Sequence, residues 1–402
     1  MGAASSVAEP RAFPARMDLP QEVVEIAASL EAAGHETWAV GGALRDALLG
    51  EGQSDVDLAT AAPPEVVIRL FPHTVPVGIR HGTVGVLDRR RHLHEVTTFR
   101  RDVETDGRHA VVSFGASLDE DLARRDFTIN AIAYHPIRHQ WRDPFGGRED
   151  LDAGVVRAVG PPRDRFREDF LRILRAVRFA ARFGFVIEPE TWAAARGSAE
   201  GLRGLSAERV REEWFKGLRT ARDLAAFCRL WHEVGAAAIW LPELADVFPG
   251  ADHAPARRDP VVLTALVCRD PGTVLERLRA SRAEITRAAA IAAGPRAPER
   301  PEPESVRRWM AAVGAAADDL LLRERYHTGD VPAWDGLVAG IRSRGEATDR
   351  SDLAVSGSDL IAAGCPPGPA LGILLDRLLD AVLADPALNT RDRLMTLVQT
   401  WR

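Results

Sequence analysis

The stretch WAVGGALRDALLGEGQSDVDLAT, Trp38 to Thr60, reads as an apolar strand, a double-glycine turn, a short amphipathic helix, a polar turn and an acidic strand. Helical spacing puts Leu44, Leu48 and Leu49 on one side of the helix. In the last strand Asp55 and Asp57 are one residue apart, and side chains two apart on a strand share a face, so the two carboxylates converge. Paired carboxylate oxygens suit a hard cation such as Mg²⁺, which usually keeps substrate phosphates in its shell. The glycines Gly41 and Gly42 permit a tight turn and close approach of the backbone to a ligand. Alone, a D-x-D is most often a solvated turn and a G-G most often a loop. Their order within one supersecondary unit makes them a candidate nucleoside triphosphate site.

Outward from this unit, the pattern is mixed α/β as far as Val155. Strands are expected at TWAV, DVDLAT, GTVGVLD, HLHEVTTF, AVVSF and NAIAY. After Gly160-Pro161-Pro162 the chain reads as helix almost without interruption. The domains expected are a disordered tail over 1–16, a head over 17–155, a helical neck over 156–222, and a helical body and tail over 223–402. That is an α+β fold: a mixed-sheet head followed by helices.

A chain of 402 residues, 46% hydrophobic, has room for a substantial core. No apolar run approaches the roughly 18 residues a membrane span needs, and no secretory leader precedes the head, so a cytoplasmic address without membrane partners is expected. The opening MGAASS fits a myristoylation pattern only formally, and Met17 is an alternative start. Cys228, Cys268 and Cys365 are widely spaced and read as core residues, with neither a zinc site nor a disulfide framework. Net charge is −6, yet Arg163 to Arg222 holds fourteen basic against nine acidic residues, and Lys216 is the only lysine of the chain. Such a local surface binds phosphates despite the overall sign, or else it forms a salt-bridged helix pair.

Three further segments carry chemistry. Glu95, on the strand HLHEVTTF, either completes the metal site or is a solvated strand residue. In LARRDFTINAIAY, Arg125 is placed to neutralise a triphosphate and Asp126 to orient it or bind a ribose hydroxyl, unless the two form a structural ion pair. Asn130 follows. FREDFLRILRAVRFAARFGF reads as one helix with Phe170, Ile173, Leu174, Val177 and Ala181 on its apolar face. Arg172, Arg175, Arg178 and Arg182 share the other face, where an anion is expected. Asp169 and Arg172 form an acceptor and donor suited to the Watson–Crick edge of one base.

The segments GGALRDALLG, SDVDLAT, VPVGIRHGTVGV, EVTTFRRDVETDGRHA, EDLARRDFTINAIAY, DPFGGREDL and REDFLRILRAVRFAARFGF occur in this order over residues 20 to 245. Together they resemble the class II tRNA nucleotidyltransferases, in the polymerase β-like nucleotidyltransferase superfamily. The resemblance implies a head, neck, body and tail that add CCA to tRNA from CTP and ATP. It implies two Mg²⁺ on Asp55 and Asp57, and incoming-nucleotide contacts from Gly42, Arg45 and Arg125. Arg175 and Arg178 fall on phosphates or ribose, and Asp169 and Arg172 inherit base selection without a template. Asp106 and Arg108 match a mobile loop kept by members that add the terminal A. Some bacterial members carry a C-terminal phosphohydrolase domain; here only scattered His253 and His327 follow Pro242, so that activity is not expected. The alternatives are an A-only enzyme or bacterial poly(A) polymerase, and a non-catalytic RNA-binding protein on the same fold.

Overall fold

A computed structural model describes residues 12–52, 55–105, 110–245, 258–298, 301–328 and 334–401. The chain forms two compact units, Met1–Pro242 and Glu243–Arg402.

The first unit begins with helix α1 (Gln21–Ala32), whose Val23, Ile26, Ala27 and Leu30 recur at helical spacing and are buried. Strand β1 (Thr37–Val40) leads through Gly41 into α2 (Gly42–Leu48), and β2 (Asp57–Thr60) follows. Next come α3 (Pro64–Leu70), β3 (Thr74–Gly78), β4 (Thr83–Leu87) and β5 (Leu93–Thr98). A hairpin of β6 (Arg100–Thr105) and β7 (Ala110–Phe114) stands apart as its own sheet. Helix α4 (Leu118–Ala123) opens with a Ser117–Glu120 capping box, and β8 (Ala133–His135) and β9 (Gln140–Arg142) complete the main sheet.

Its order is β3-β4-β5-β2-β1-β8-β9, antiparallel throughout except for the parallel β2–β5 pair. One face carries Leu58, Val84, Val86 and Val96 onto α1 and α3. The other carries Trp38, Val40 and Ala59 onto Leu118 and Leu122 of α4. Alternation along β2 therefore sends Asp57 to the α4 side.

The strands β3, β6 and β9 were not anticipated: Pro76 and Gly78 disguise the first, and the arginines at 100, 101 and 142 the others. The expected strand NAIAY begins only at Ala133, after a 3₁₀ turn over Thr128–Asn130. At the end of the tail expected over 1–16, Phe13 stacks on Trp141 with ring centroids 4.6 Å apart, and the Trp141 indole donates to the Pro14 carbonyl at 2.8 Å.

Helix α5 (Gly147–Ala153) and β10 (Val155–Val156) lead into α6 (Pro162–Glu168), α7 (Leu171–Phe183), β11 (Val186–Ile187) and α8 (Pro189–Gly197). The nearly continuous helix expected after residue 160 is interrupted by β11, which pairs in parallel with β10. The single helix expected from Phe166 onward is broken too. Asp169 is extended, with φ −156°, and its carboxylate accepts from the Leu171 N–H at 3.0 Å. Aspartate competes with helical backbone in this way, so it starts α7 and does not continue α6.

Helices α9 (Ala207–Thr220), α10 (Leu224–Glu233) and α11 (Ala236–Trp240) close the unit, which ends at Pro242. Trp214, Phe227 and Trp231 are fully buried where α9 and α10 meet. A Cβ at Gly217 would sit 2.0 Å from the Phe227 ring. Alanine improves helix propensity by ~1 kcal/mol, but overpacking costs about 1–3 kcal/mol. Gly217→Ala is expected to lower the melting temperature; an unchanged or raised value would contradict this packing.

Among the described residues the second unit is helical: α12 (Pro260–Val267), α13 (Pro271–Arg277), α14 (Arg282–Ala293), α15 (Pro303–Val313), α16 (Ala317–Thr328), α17 (Trp334–Ser343), α18 (Gly357–Ala362), α19 (Pro369–Ala384) and α20 (Arg391–Trp401). Buried arginines finish two of its helices. Arg323 donates to the Ile291, Gly294 and Pro295 carbonyls at the end of α14, and Arg307 to those of Leu383 and Ala384 in the last turn of α19. The three cysteines are buried. Among the described residues no helix is long and apolar enough to cross a membrane.

Candidate active site

Asp57 opens β2 opposite Val40, at the point where β1 runs into the glycine turn. Asp55 and Val56 precede the strand, with Val56 buried and Asp55 exposed. Gly41 has φ +87°, a region natural to glycine, and a Cβ there would lie 3.4 Å from both Asp57 Oδ2 and Arg125 Nη1. A carboxylate and a guanidinium therefore meet over bare backbone.

Burial, then the charges of Glu95 and Asp55, push the Asp57 carboxyl from its ordinary 3.8 up to about 6, against the pull of Arg125. A carboxyl raised on folding is a liability above its folded pKa. Stability falls as pH rises from 3.8 to about 6 and stays lowered beyond. The shift corresponds to roughly 3 kcal/mol at most. Asp57→Asn is therefore expected to melt several degrees above the wild type in chelator at pH 7.5, with the gain vanishing near pH 4. Equal melting points at pH 7.5 would rule out the strained carboxylate.

Asp57 lines a cleft of about 620 Å³. Gly41, Gly42, Arg45, Arg125, Asp126, Asn130, Asp169, Arg172, Arg175 and Arg178, singled out in the sequence, line it with Asp57. Asp55 and Glu95 do not, although their charges act on Asp57. Among the described residues no three His, Cys, Asp or Glu side chains are grouped so as to hold one metal ion. Asp106 and Arg108 lie outside the described residues.

The cleft's described lining holds nine cationic side chains, Arg45, Arg124, Arg125, Arg172, Arg175, Arg178, Arg182, Arg209 and Lys216, against three carboxylates, Asp57, Asp126 and Asp169. The face of α7 is nonetheless salt-bridged: Arg172 to Glu168 at 2.8 Å, Arg175 to Asp126 at 2.6 Å, Arg178 to Glu213 at 2.5 Å, and Arg182 to Asp46 and Glu51 at 3.0 and 3.1 Å. Of the two readings of this arginine face, the ion-paired one is seen directly, and a positive excess remains in the cleft's described lining.

Pairings differ from those the sequence suggested. Arg125 reaches Asp121 at 3.4 Å, not Asp126. Burial opposes the charge of Asp126, but Arg175, Asn130 and the Phe127 N–H outweigh it and hold this carboxyl down at about 2. Arg45 is buried, bonded to Asp46 and Asn130, and lies over the Phe179 and Phe183 rings, each 4.8 Å away. Asp169 and Arg172 do not bond each other. Asp169 takes Arg209 at 2.7 Å, while Arg172 donates to Glu168 and to the Arg124 carbonyl at 3.1 Å.

Sequence reasoning passed over Arg124, Phe179, Arg209 and Lys216 as lining residues. Arg209, Glu213 and Lys216 recur at i, i+4 and i+7 on α9, a periodicity that marks one face. Phe179 supports the guanidinium groups of Arg45, Arg175 and Arg178 through ring contacts.

A family profile described as "Poly A polymerase head domain" matches residues 37–157, and one described as "Probable RNA and SrmB- binding site of polymerase A" matches 184–248. A CCA-adding enzyme of Geobacillus kaustophilus is 36% identical, over 93% of this chain and 95% of that enzyme. One of Leuconostoc mesenteroides is 35% identical, over 94% and 96%. The crystal structure of the Bacillus stearothermophilus CCA-adding enzyme in complex with CTP is similar at TM-score 0.81 and 34% identity, covering 94% of this chain and 98% of that one. The Thermotoga maritima CCA-adding enzyme complexed with tRNA shares the fold at TM-score 0.67 and 20% identity, with 94% of each chain covered.

Proposed function

The chain belongs to the CCA-adding enzymes, matched over nearly its whole length, and from that premise we propose that Asp55, Asp57 and the cationic cleft carry out the transfer. The enzyme adds CCA to the 3′ end of tRNA without a nucleic-acid template, using CTP twice and ATP once, and its setting is the cytoplasm. The carrying observation is Asp57 in a cleft with nine cations against three carboxylates.

In each cycle the tRNA 3′-oxygen bonds to the α-phosphorus as the bond to the bridging oxygen breaks, and pyrophosphate leaves. Arg125 and the arginines of α7 lie where they balance triphosphate charge. Asp169 and Arg172 offer an acceptor and donors to one base edge, and Arg209 and Glu168 hold them in place.

The donor set fits a divalent metal: Asp55 and Asp57 offer hard carboxylate oxygens, and the raised Asp57 carboxyl marks negative charge that a cation would relieve. Asp55 and Asp57 would hold Mg²⁺. Bound in the family's two-metal manner, it would polarise the α-phosphate and lower the pKa of the attacking hydroxyl.

The test is tRNA lacking its 3′ terminus, Mg²⁺, and labelled CTP or ATP supplied singly and together. CTP incorporation followed by one AMP is expected. Incorporation from ATP alone would replace this with an A-only enzyme or poly(A) polymerase, and none at all with a silent RNA-binding protein.

A further inference from the structure

We propose that Asn130 is a positioning residue for the transfer reaction: its side-chain amide is the link that closes a ring of ion pairs between the head and α7 and so holds Arg45 and Arg175 in the cleft. This rests on the cleft being the site of nucleotidyl transfer.

The ring leaves α7 at Arg182, which donates to Asp46 Oδ2 at 3.0 Å, while Asp46 Oδ1 accepts from Arg45 Nη2 and Nε at 2.7 and 2.9 Å. Arg45 Nη1 donates to Asn130 Oδ1, and Asn130 Nδ2 donates to Asp126 Oδ1 at 2.9 Å. Asp126 Oδ2 accepts from Arg175 Nε at 2.7 Å, which brings the ring back to α7 about two turns from where it left. Arg45, Asp46, Asp126 and Asn130 are all buried. Charge alternates from member to member except at Asn130, the one uncharged side chain among the six.

The neighbours demand an amide there. A guanidinium only donates and an ionised carboxylate only accepts, and Asp126, held down at about 2 despite its burial, is ionised. A group standing between Arg45 and Asp126 must therefore accept on one side and donate on the other. Asparagine does both from one short planar group; a carboxylate accepts on both sides, and an apolar side chain does neither. The backbone fixes where the amide stands. Asn130 ends the 3₁₀ turn, and its own carbonyl accepts from Arg125 Nη1 at 3.3 Å. At the start of that turn the Thr128 hydroxyl donates to Asp150 of α5 at 2.6 Å, and a Cβ at Gly147 would lie 2.2 Å from the Thr128 carbonyl, so α5 abuts the turn directly. Asn130 thus acts on a nucleotide through the two arginines whose places it sets.

Asn130→Leu and Asn130→Asp chains would be compared with wild type by steady-state kinetics on tRNA lacking its 3′ terminus. Asn130→Leu removes two hydrogen bonds to charged groups, so KM for CTP should rise about tenfold or more while KM for tRNA stays at the wild-type value. Asn130→Asp tests the amide itself. Around position 130 the charged groups are Arg45 and Asp46 on α2, Arg125 and Asp126 after α4, and Arg175 and Arg182 on α7; Asp150 of α5 turns to Thr128. Burial and the charge of Asp126 raise the new carboxyl and Arg45 opposes them, the same kind of balance that brings Asp57 up to about 6. Once protonated, it donates to Asp126 and accepts from Arg45 as the amide does. The ratio of its kcat/KM for CTP to that of wild type should therefore climb about tenfold or more as pH falls from about 8.5 to about 6, while the same ratio for Asn130→Leu stays flat. Asp57 titrates in every chain and drops out of the ratio. Wild-type KM for CTP in Asn130→Leu overturns the proposal, as does a ratio for Asn130→Asp that is constant with pH. So does an equal rise in KM for CTP and for tRNA, which would make Asn130 a residue of folding alone. If Asn130→Leu is unfolded at the assay temperature, the pH dependence of Asn130→Asp decides by itself. A wild-type chain that incorporates no CMP instead defeats the underlying assignment, and this role with it.

Discussion

Asp57→Ala is expected to leave no measurable incorporation of CMP or AMP into tRNA, a loss of at least ~10³ in kcat at any Mg²⁺ concentration. The carboxylate sits where the glycine turn, Arg125 and the charge of Glu95 meet, and the described cleft has only two other carboxylates. Both are engaged, Asp126 by Arg175 and Asp169 by Arg209. Neither is free to substitute. Metal catalysis contributes several kcal/mol of charge stabilisation, and each 1.36 kcal/mol is a factor of ten. Asp55→Ala should behave alike, because the second oxygen donor comes from the same chain segment. Filter binding of tRNA is expected to hold near the wild-type level in both variants, which separates lost chemistry from lost folding. Turnover within tenfold of wild type would remove the metal assignment.

Arg172→Ala is expected to lower the preference for CTP over UTP by about 1–3 kcal/mol, roughly 5- to 150-fold, with tRNA affinity nearly unchanged. Arg172 is a base-reading candidate because it projects into the cleft near Asp169 while its own position is fixed from three sides. Glu168 and the carbonyls of Arg165 and Arg124 accept from it. A side chain held so firmly discriminates by geometry. Misincorporation assays with each of the four triphosphates would show the change. Unchanged selectivity would mean that base choice lies elsewhere, with Asp169 and Arg209 the next pair to alter.

The parts of this site that were legible in the sequence are local. Gly41, Gly42 and Asp57 belong to one strand-turn-strand unit, and the arginines of α7 recur at a single helical period, so spacing alone placed them. What spacing concealed is long-range. Arg209 lies 40 residues from Asp169, and Glu213 lies 35 from Arg178, so only the packing of α9 on α7 reveals these partners. The break at Asp169 was missed because an aspartate inside an amphipathic run looks like a polar-face residue until its carboxylate is seen on the Leu171 N–H. β3 escaped because a proline in a strand argues against that assignment unless the strand is an edge, and edges are a property of the whole sheet. The expected fold class did not depend on these details, since head strands and later helices differ in period over long stretches.

The ion pairs along α7 have a consequence for how a ligand is met. Long cationic side chains normally lose rotamer freedom when they close on phosphate. Here carboxylates from the head and from α9 already fix them. Their ordering takes place during folding, so an anion that meets this face finds a preorganised mould that it does not have to assemble.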